Sequence, residues 1–170
     1  MSDWRISQPG LIGSQGIAES SASAKHRLGT IVTAHDKSTD SDYGEGEFIY
    51  LKGAASTVVG SVCTYDAGGF TTSLSQANAV GPIGLAMSAN GSGSYGWYQI
   101  SGRGVAKGAD NIAADMLCYL TSVAGSIDDA VVEGDSIFFM ETTSALGTPS
   151  GALVEVTINR PFTNNVDQIS

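Results

Sequence analysis

Every apolar run in this chain is short, β-branched or aromatic, and stopped by a turn signal. Phe48-Ile49-Tyr50-Leu51-Lys52 ends at Gly53, and Val58 to Tyr65 ends at Asp66-Ala67-Gly68-Gly69. Ile83 to Met87 follows Gly81-Pro82, and Tyr95 to Lys107 is interrupted by glycines. Met116 to Thr121 precedes Ala124-Gly125, Ser136 to Thr143 holds Ile137-Phe138-Phe139-Met140, and Leu153 to Asn159 alternates until Arg160-Pro161. Runs of this length, spaced by Gly, Asp and Pro, predict strands joined by turns, with no room for long helices. Only 76–80 and 111–115 have the character of a helical turn. With 22 glycines in 170 residues and charged residues at only 15 %, the expected class is all-β, a compact barrel or sandwich.

The segment 1–46 reads differently from the rest. It carries Ser20-Ser21-Ala22-Ser23, Gly10, Gly13 and Gly16, and ends in the acidic stretch Asp40 to Glu47. One apolar stretch, Leu28 to Val32, has strand character. The segment has too little apolar surface to fold alone, so it is expected to be an extended N-terminal arm. The expected organisation is therefore an arm over 1–46, a β domain over 47–162 and a polar C-terminal tail over 163–170. Trp4, Leu11, Ile12, Ile17, Leu28 and Ile31 are the apolar side chains of the arm that a partner surface is expected to bury.

Gly91-Ser92-Gly93-Ser94-Tyr95-Gly96 spells G-x-G-x-x-G. A dinucleotide site needs a helix after that motif, whose N-terminus holds the pyrophosphate. Here Trp97-Tyr98-Gln99-Ile100 follows, which is strand sequence, so the glycines read as a hairpin tip. Gly102 and Gly104 then mark a bulge or a close backbone approach in the second strand.

The remaining chemistry reads as structural. Cys63 and Cys118 lie in apolar strand-like segments and are expected to be free, buried thiols. His26 and His35 have no second ligand at a metal-binding spacing. Asp40-x-Asp42-x-Gly44 has the start of a calcium loop but lacks its later acidic ligands. Asp128, Asp129, Glu133 and Asp135 read as turn acids, and Asn90-Gly91-Ser92 as an idle sequon. No cofactor and no enzymatic activity are expected. The net charge of −9 without a Lys/Arg cluster disfavours nucleic acid. The N-terminus has no signal-peptide pattern and no apolar run reaches membrane-span length, so synthesis in the cytoplasm and no membrane partner are expected.

The stretch from Gly81 to Phe138 resembles the capsid decoration, or cement, proteins of tailed bacteriophages. The likeness rests on Gly84-Leu85-Ala86, Gly102 to Ala106, Leu117-Cys118-Tyr119-Leu120, Gly125 and Glu133 to Phe138, with Val156 to Phe162 beyond them. It spans about residues 47 to 162. The resemblance implies a small β-barrel or β-tulip virion protein, a homotrimer on the capsid exterior that stabilises the head by contacting the major capsid protein. A tail- or fibre-associated adhesion module binding host glycan is the alternative, with Tyr95, Trp97 and Tyr98 as its aromatic candidates.

Overall fold

The computed structural model describes residues 2–7, 15–147 and 151–164. Among them there is no helix, and the β class expected from the turn-punctuated runs is what the chain adopts. The strands are β1 (Trp4–Ile6), β2 (Ser20–Ser21), β3 (Ile31–Asp36), β4 (Glu45–Lys52), β5 (Val62–Tyr65) and β6 (Thr72–Leu74). They continue as β7 (Gly81–Ala86), β8 (Tyr95–Lys107), β9 (Leu117–Leu120), β10 (Ile127–Asp128), β11 (Ser136–Thr142) and β12 (Leu153–Thr163). The main path of the sheet runs β1-β3-β4-β8-β7-β12-β11-β9-β10, with β2 on β8, β5 on β7 and β6 on β5. The two ends of that path do not pair, so the sheet is not closed into a barrel. Every pairing between these strands is antiparallel, and the parallel contacts are the isolated bridges Lys52↔Thr71 and Gly108↔Ile127. The segments 76–80 and 111–115 form turns and bends instead of helical turns.

Strand β8 organises this path. Along one side its first half pairs with β4, from Lys52↔Tyr95 to Phe48↔Gln99. On the other side it pairs with β7 at Leu85↔Gln99 and Ala86↔Tyr98, then with β12 from Asn159↔Ser101 to Leu153↔Lys107. The ladder to β4 slips at this crossing, because Glu47 faces Ser101 while Phe48 faces Gln99. One extra residue of β8 is thus inserted, a bulge that bends the strand. Gly102 makes the bend possible: its φ is +100°, and a Cβ there would lie 2.6 Å from the carbonyl oxygen of Glu45. The fully buried Gln99 holds the bend by donating its Nε2 to the carbonyls of Ser101 (3.2 Å) and Arg103 (2.8 Å). Its Oε1 rests where Gly104 has no side chain; a Cβ at Gly104 would be 2.2 Å away.

Three apolar clusters form around this frame. Alternation along β4 sends Phe48 and Tyr50 to one face and Ile49 and Leu51 to the other. Ile49 and Leu51 meet Cys63, Ala86, Tyr98 and Ile100. Phe48 and Tyr50 meet Trp97, Val32 and Ala34, and also Trp4 and Ile17. The third cluster joins β7 and the end of β8 to β9, β11 and β12, with Leu85, Leu120, Ile137, Met140 and Val156 among its members.

The described part of 1–46 is therefore a layer over the Phe48/Tyr50 face. Strand β1 pairs with β3, and β3 with β4. Gln15 ties this layer down. Its Oε1 accepts from the Tyr50 hydroxyl at 2.7 Å, its Nε2 donates to the Tyr95 carbonyl at 2.9 Å, and its own carbonyl accepts the Trp97 indole N–H at 2.9 Å. The reading of 1–46 as an arm weighed only apolar side chains. These charge-free hydrogen bonds between buried groups, together with strand pairing, supply ordering that such a count omits. Asp36 secures the other end: its carboxylate accepts from the backbone N–H groups of Asp3, Ser38 and Tyr43 and from the Ser41 hydroxyl. Burial alone would raise its pKa, but these donors outweigh burial and hold it below the usual carboxylate range.

Two outcomes follow from this frame. Gly104→Ala drives a Cβ into the anchored Gln99 side chain and is expected to cost about 1–3 kcal/mol. Adding Gln99→Ala removes the clash, so the double variant should be less destabilised than the sum of the two singles in urea melts. Purely additive costs would show that Gln99 does not fill the Gly104 position.

The second concerns His26, whose Nε2 accepts the Gln15 N–H at 3.2 Å and whose ring packs on Tyr50 and Trp97. Burial lowers its pKa below 6.5. The unfolded chain then binds the proton first, so this contribution to stability is present above pH 6.5 and is lost as pH falls toward the folded pKa. His26→Gln keeps an acceptor that does not titrate. The stability difference between wild type and this variant should shift against wild type between pH 7 and pH 5. A difference that stays constant over that interval would refute the role of His26.

Candidate functional site

The hairpin tip at Gly91–Gly96 is what the glycines suggested. It joins β7 to β8, with Gly93 at φ +80° and the Ser94 N–H donating to the Gly91 carbonyl at 3.0 Å. Cys63 and Cys118 are free and buried, and burial pushes both thiols up to about 12, leaving them protonated and poorly nucleophilic at neutral pH. Of the acids of 128–135, Asp128, Asp129 and Asp135 accept backbone N–H groups. Asp128 caps the N–H groups of Asp129 and Ala130, Asp129 accepts from the Ala113 N–H, and the buried Asp135 accepts from the Asn78 N–H at 2.6 Å. Among the described residues, no three His, Cys, Asp or Glu side chains gather as a metal site would need.

Of the six side chains expected to meet a partner, Trp4 and Ile17 are buried inside the chain's own core beside Phe48 and Tyr50. Leu28 is half-buried against the same cluster and Ile31 is exposed. Leu11 and Ile12 lie outside the described residues. Of the aromatics that a glycan platform would use, Trp97 and Tyr98 are fully buried and Tyr95 is half-buried. A buried ring cannot stack on a sugar.

The feature that sequence reading missed is at the other end of the sheet. Strict alternation along Ile137-Phe138-Phe139-Met140 would place Ile137 and Phe139 inward together. In the structure Ile137 and Met140 are both buried, while Phe139 is 66 % exposed. A bulge achieves this. The register of β11 slips against β12 between Phe138 and Met140, and against β9 between Ile137 and Glu141. Against β9 the three residues 138–140 are looped out of the ladder, and against β12 Phe139 alone spans the three residues 159–161; Phe139 itself sits at φ +61°. A bulky aromatic in the left-handed region is rare and costs on the order of 1–3 kcal/mol. Strand β12 bends opposite it, with Arg160 at φ +50°, and so continues through Pro161 to pair Phe162 with Pro82 of β7. The expected stop at Arg160-Pro161 is thus a change of partner within one strand.

The everted Phe139 stands beside Leu117, which is 63 % exposed, and the two side chains separate two concavities. The larger, about 470 Å³, runs over the outer side of β9 and β11, between Phe138 and the loop holding Val131 and Val132. The smaller, about 330 Å³, lies toward Thr157 and Asn159 of β12. Phe138 stacks on Phe162 with centroids 4.9 Å apart, which braces the floor. Val131 is 78 % exposed, so the groove has an apolar wall as well as an apolar floor. Glu133 lines the larger concavity and Glu141 the smaller. An arrangement of exposed aromatic and aliphatic side chains on a braced strand pair can bury a partner's apolar groups.

No protein-family model and no curated protein matches the chain.

Since Phe139 is exposed and sits where non-glycine residues are strained, its replacement should be tolerated. Phe139→Asn suits the left-handed region and should leave stability within about 1 kcal/mol of wild type. A buried Phe would instead cost about 3–5 kcal/mol on truncation. A loss of that size in thermal or urea melts would show that the ring belongs to the core.

Proposed function

We propose that this chain is a non-enzymatic virion protein of a tailed bacteriophage. It decorates the exterior of the capsid as a homotrimer and stabilises the head by bridging copies of the major capsid protein. In this reading the all-β body is of the β-tulip or sandwich kind. The observation that carries the reading is the exposed apolar groove around Phe139 and Leu117. Most of the lining of its larger concavity lies on the stretch from Leu117 to Phe138 that resembles decoration proteins. A cement protein needs what this chain has: a braced β body, an exposed apolar surface and few charges that would have to be desolvated on docking. Asp36, Asp128 and Asp135 are engaged as acceptors of backbone N–H groups.

The test uses expanded capsid shells that lack the protein. Added protein should co-sediment with them up to a fixed ratio and raise the temperature at which the shells break. Binding only to the host core, tail or surface glycans, with no binding to shells, would reject the reading.

A further inference from the structure

The groove around Phe139 lies in a part of the chain with one sign of charge. Between Lys107 and Arg160 the sequence holds Asp and Glu throughout and no Lys or Arg. Glu133 and Glu141, which line the two concavities, are exposed. The ion pairs among the described residues are Arg5–Asp3, Arg103–Glu155 and Arg160–Glu47, so neither of these two carboxylates is neutralised by one. The pKa of Cys118 beneath the groove is raised first by burial and then by the negative charges of Glu141 and Asp129, which places both acids within electrostatic reach of the groove floor.

We propose that this groove receives an apolar, lysine- or arginine-flanked polypeptide segment of another protein. The apolar part of that segment fills the two concavities on either side of Phe139 and Leu117. Its flanking cations meet Glu133 on one side and Glu141 on the other, which adds attraction, speeds encounter and excludes acidic competitors. Other occupants fit the charge less well. None of the residues outside the described set is a Lys or Arg, so the chain itself does not supply the cations. A second copy brings Asp and Glu in excess, 17 against 8 Lys and Arg. Two copies meeting by this same face would set Glu133 and Glu141 against their own images. An anionic lipid surface or a nucleic acid would be repelled. The backbone strain at Phe139 supports the same conclusion. The bulge keeps an aromatic ring outside the core that alternation would have placed inside, which is the anchor such a contact uses.

The inference deepens the reading above, because it names the attachment face and the chemistry of the capsid segment it would take. Its test does not depend on capsids. Fluorescence anisotropy compares three short synthetic peptides: paired Leu residues flanked by Lys, the same peptide flanked by Glu, and the Lys peptide with Ser in place of Leu. The first should bind, with an affinity that falls as salt rises, and the other two should bind roughly tenfold or more weakly. Phe139→Asp and Val131→Asp should each abolish binding with circular dichroism unchanged. If Phe139→Asp fails to fold, Phe139→Asn should weaken binding at retained stability. No preference among the peptides, or binding that survives both the Phe139 and Val131 substitutions, overturns the proposal. So does light scattering in which the wild type is an oligomer that Phe139→Asp dissociates, which would make a second copy the occupant. Peptide binding without shell binding would reject the capsid reading alone; shell binding that Phe139→Asp leaves intact would reject this inference alone.

Discussion

One side-chain amide holds the middle of this structure. Gln99 bonds the carbonyls on either side of Gly102, and the empty position of Gly104 gives it room. The bend it stabilises lets a single 13-residue strand, β8, serve β4 and β7 with its first half and β12 with its second. Without the bend, a straight β8 would pair with one set of neighbours only, and the apolar cluster around Leu85 and Val156 would be cut off from the one around Tyr98. Glycine at two positions and glutamine at a third form one device. Each is neutral by itself, and none has strong strand propensity.

A second polar group does for the N-terminal layer what Gln99 does for the centre. Gln15 reaches Tyr50, Tyr95 and Trp97, three aromatic residues whose rings or backbone form the floor under residues 15–34. Tyr50 and Trp97 are buried with polar atoms that need partners, and Gln15 supplies them. The apolar side chains Trp4 and Ile17 then add burial to an already satisfied surface. The layer and the body depend on each other, because exposing this face would leave a phenol, an indole and a row of aromatic rings in water.

The groove at the other end follows from bulges as well. Phe139 and Arg160 both take positive φ on adjacent strands, so β11 and β12 bend together. The bend turns Phe139 outward and lets β12 cross from β8 to β7. The same local distortion therefore joins β12 to β7 within the sheet path and exposes the Phe139 ring. A surface built this way is stiffer than a loop, since Phe138, Phe162 and the ladder to β9 brace it from behind.

The sequence by itself determined the class of structure and the positions of its local turns. Short β-rich runs ended by glycine, the tip at Gly91–Gly96, the Asp66 turn and the buried thiols are all written in neighbouring residues, and turn chemistry acts over a few bonds. It also marked Gly102 and Gly104 as places where the backbone must bend or be approached. What it did not disclose depends on residues far apart in the chain. Trp4 and Ile17 became core because Gln15 finds Tyr50 and Trp97, at separations of 35 and 82 residues. Phe139 became surface because β11 must keep Ile137 and Met140 inward at once while paired with β9 and β12. Pro161 failed to end a strand because a neighbour was waiting in β7. Residue type sets what each side chain prefers, but which strand lies beside it decides whether that preference is met, and only the folded chain supplies the neighbour.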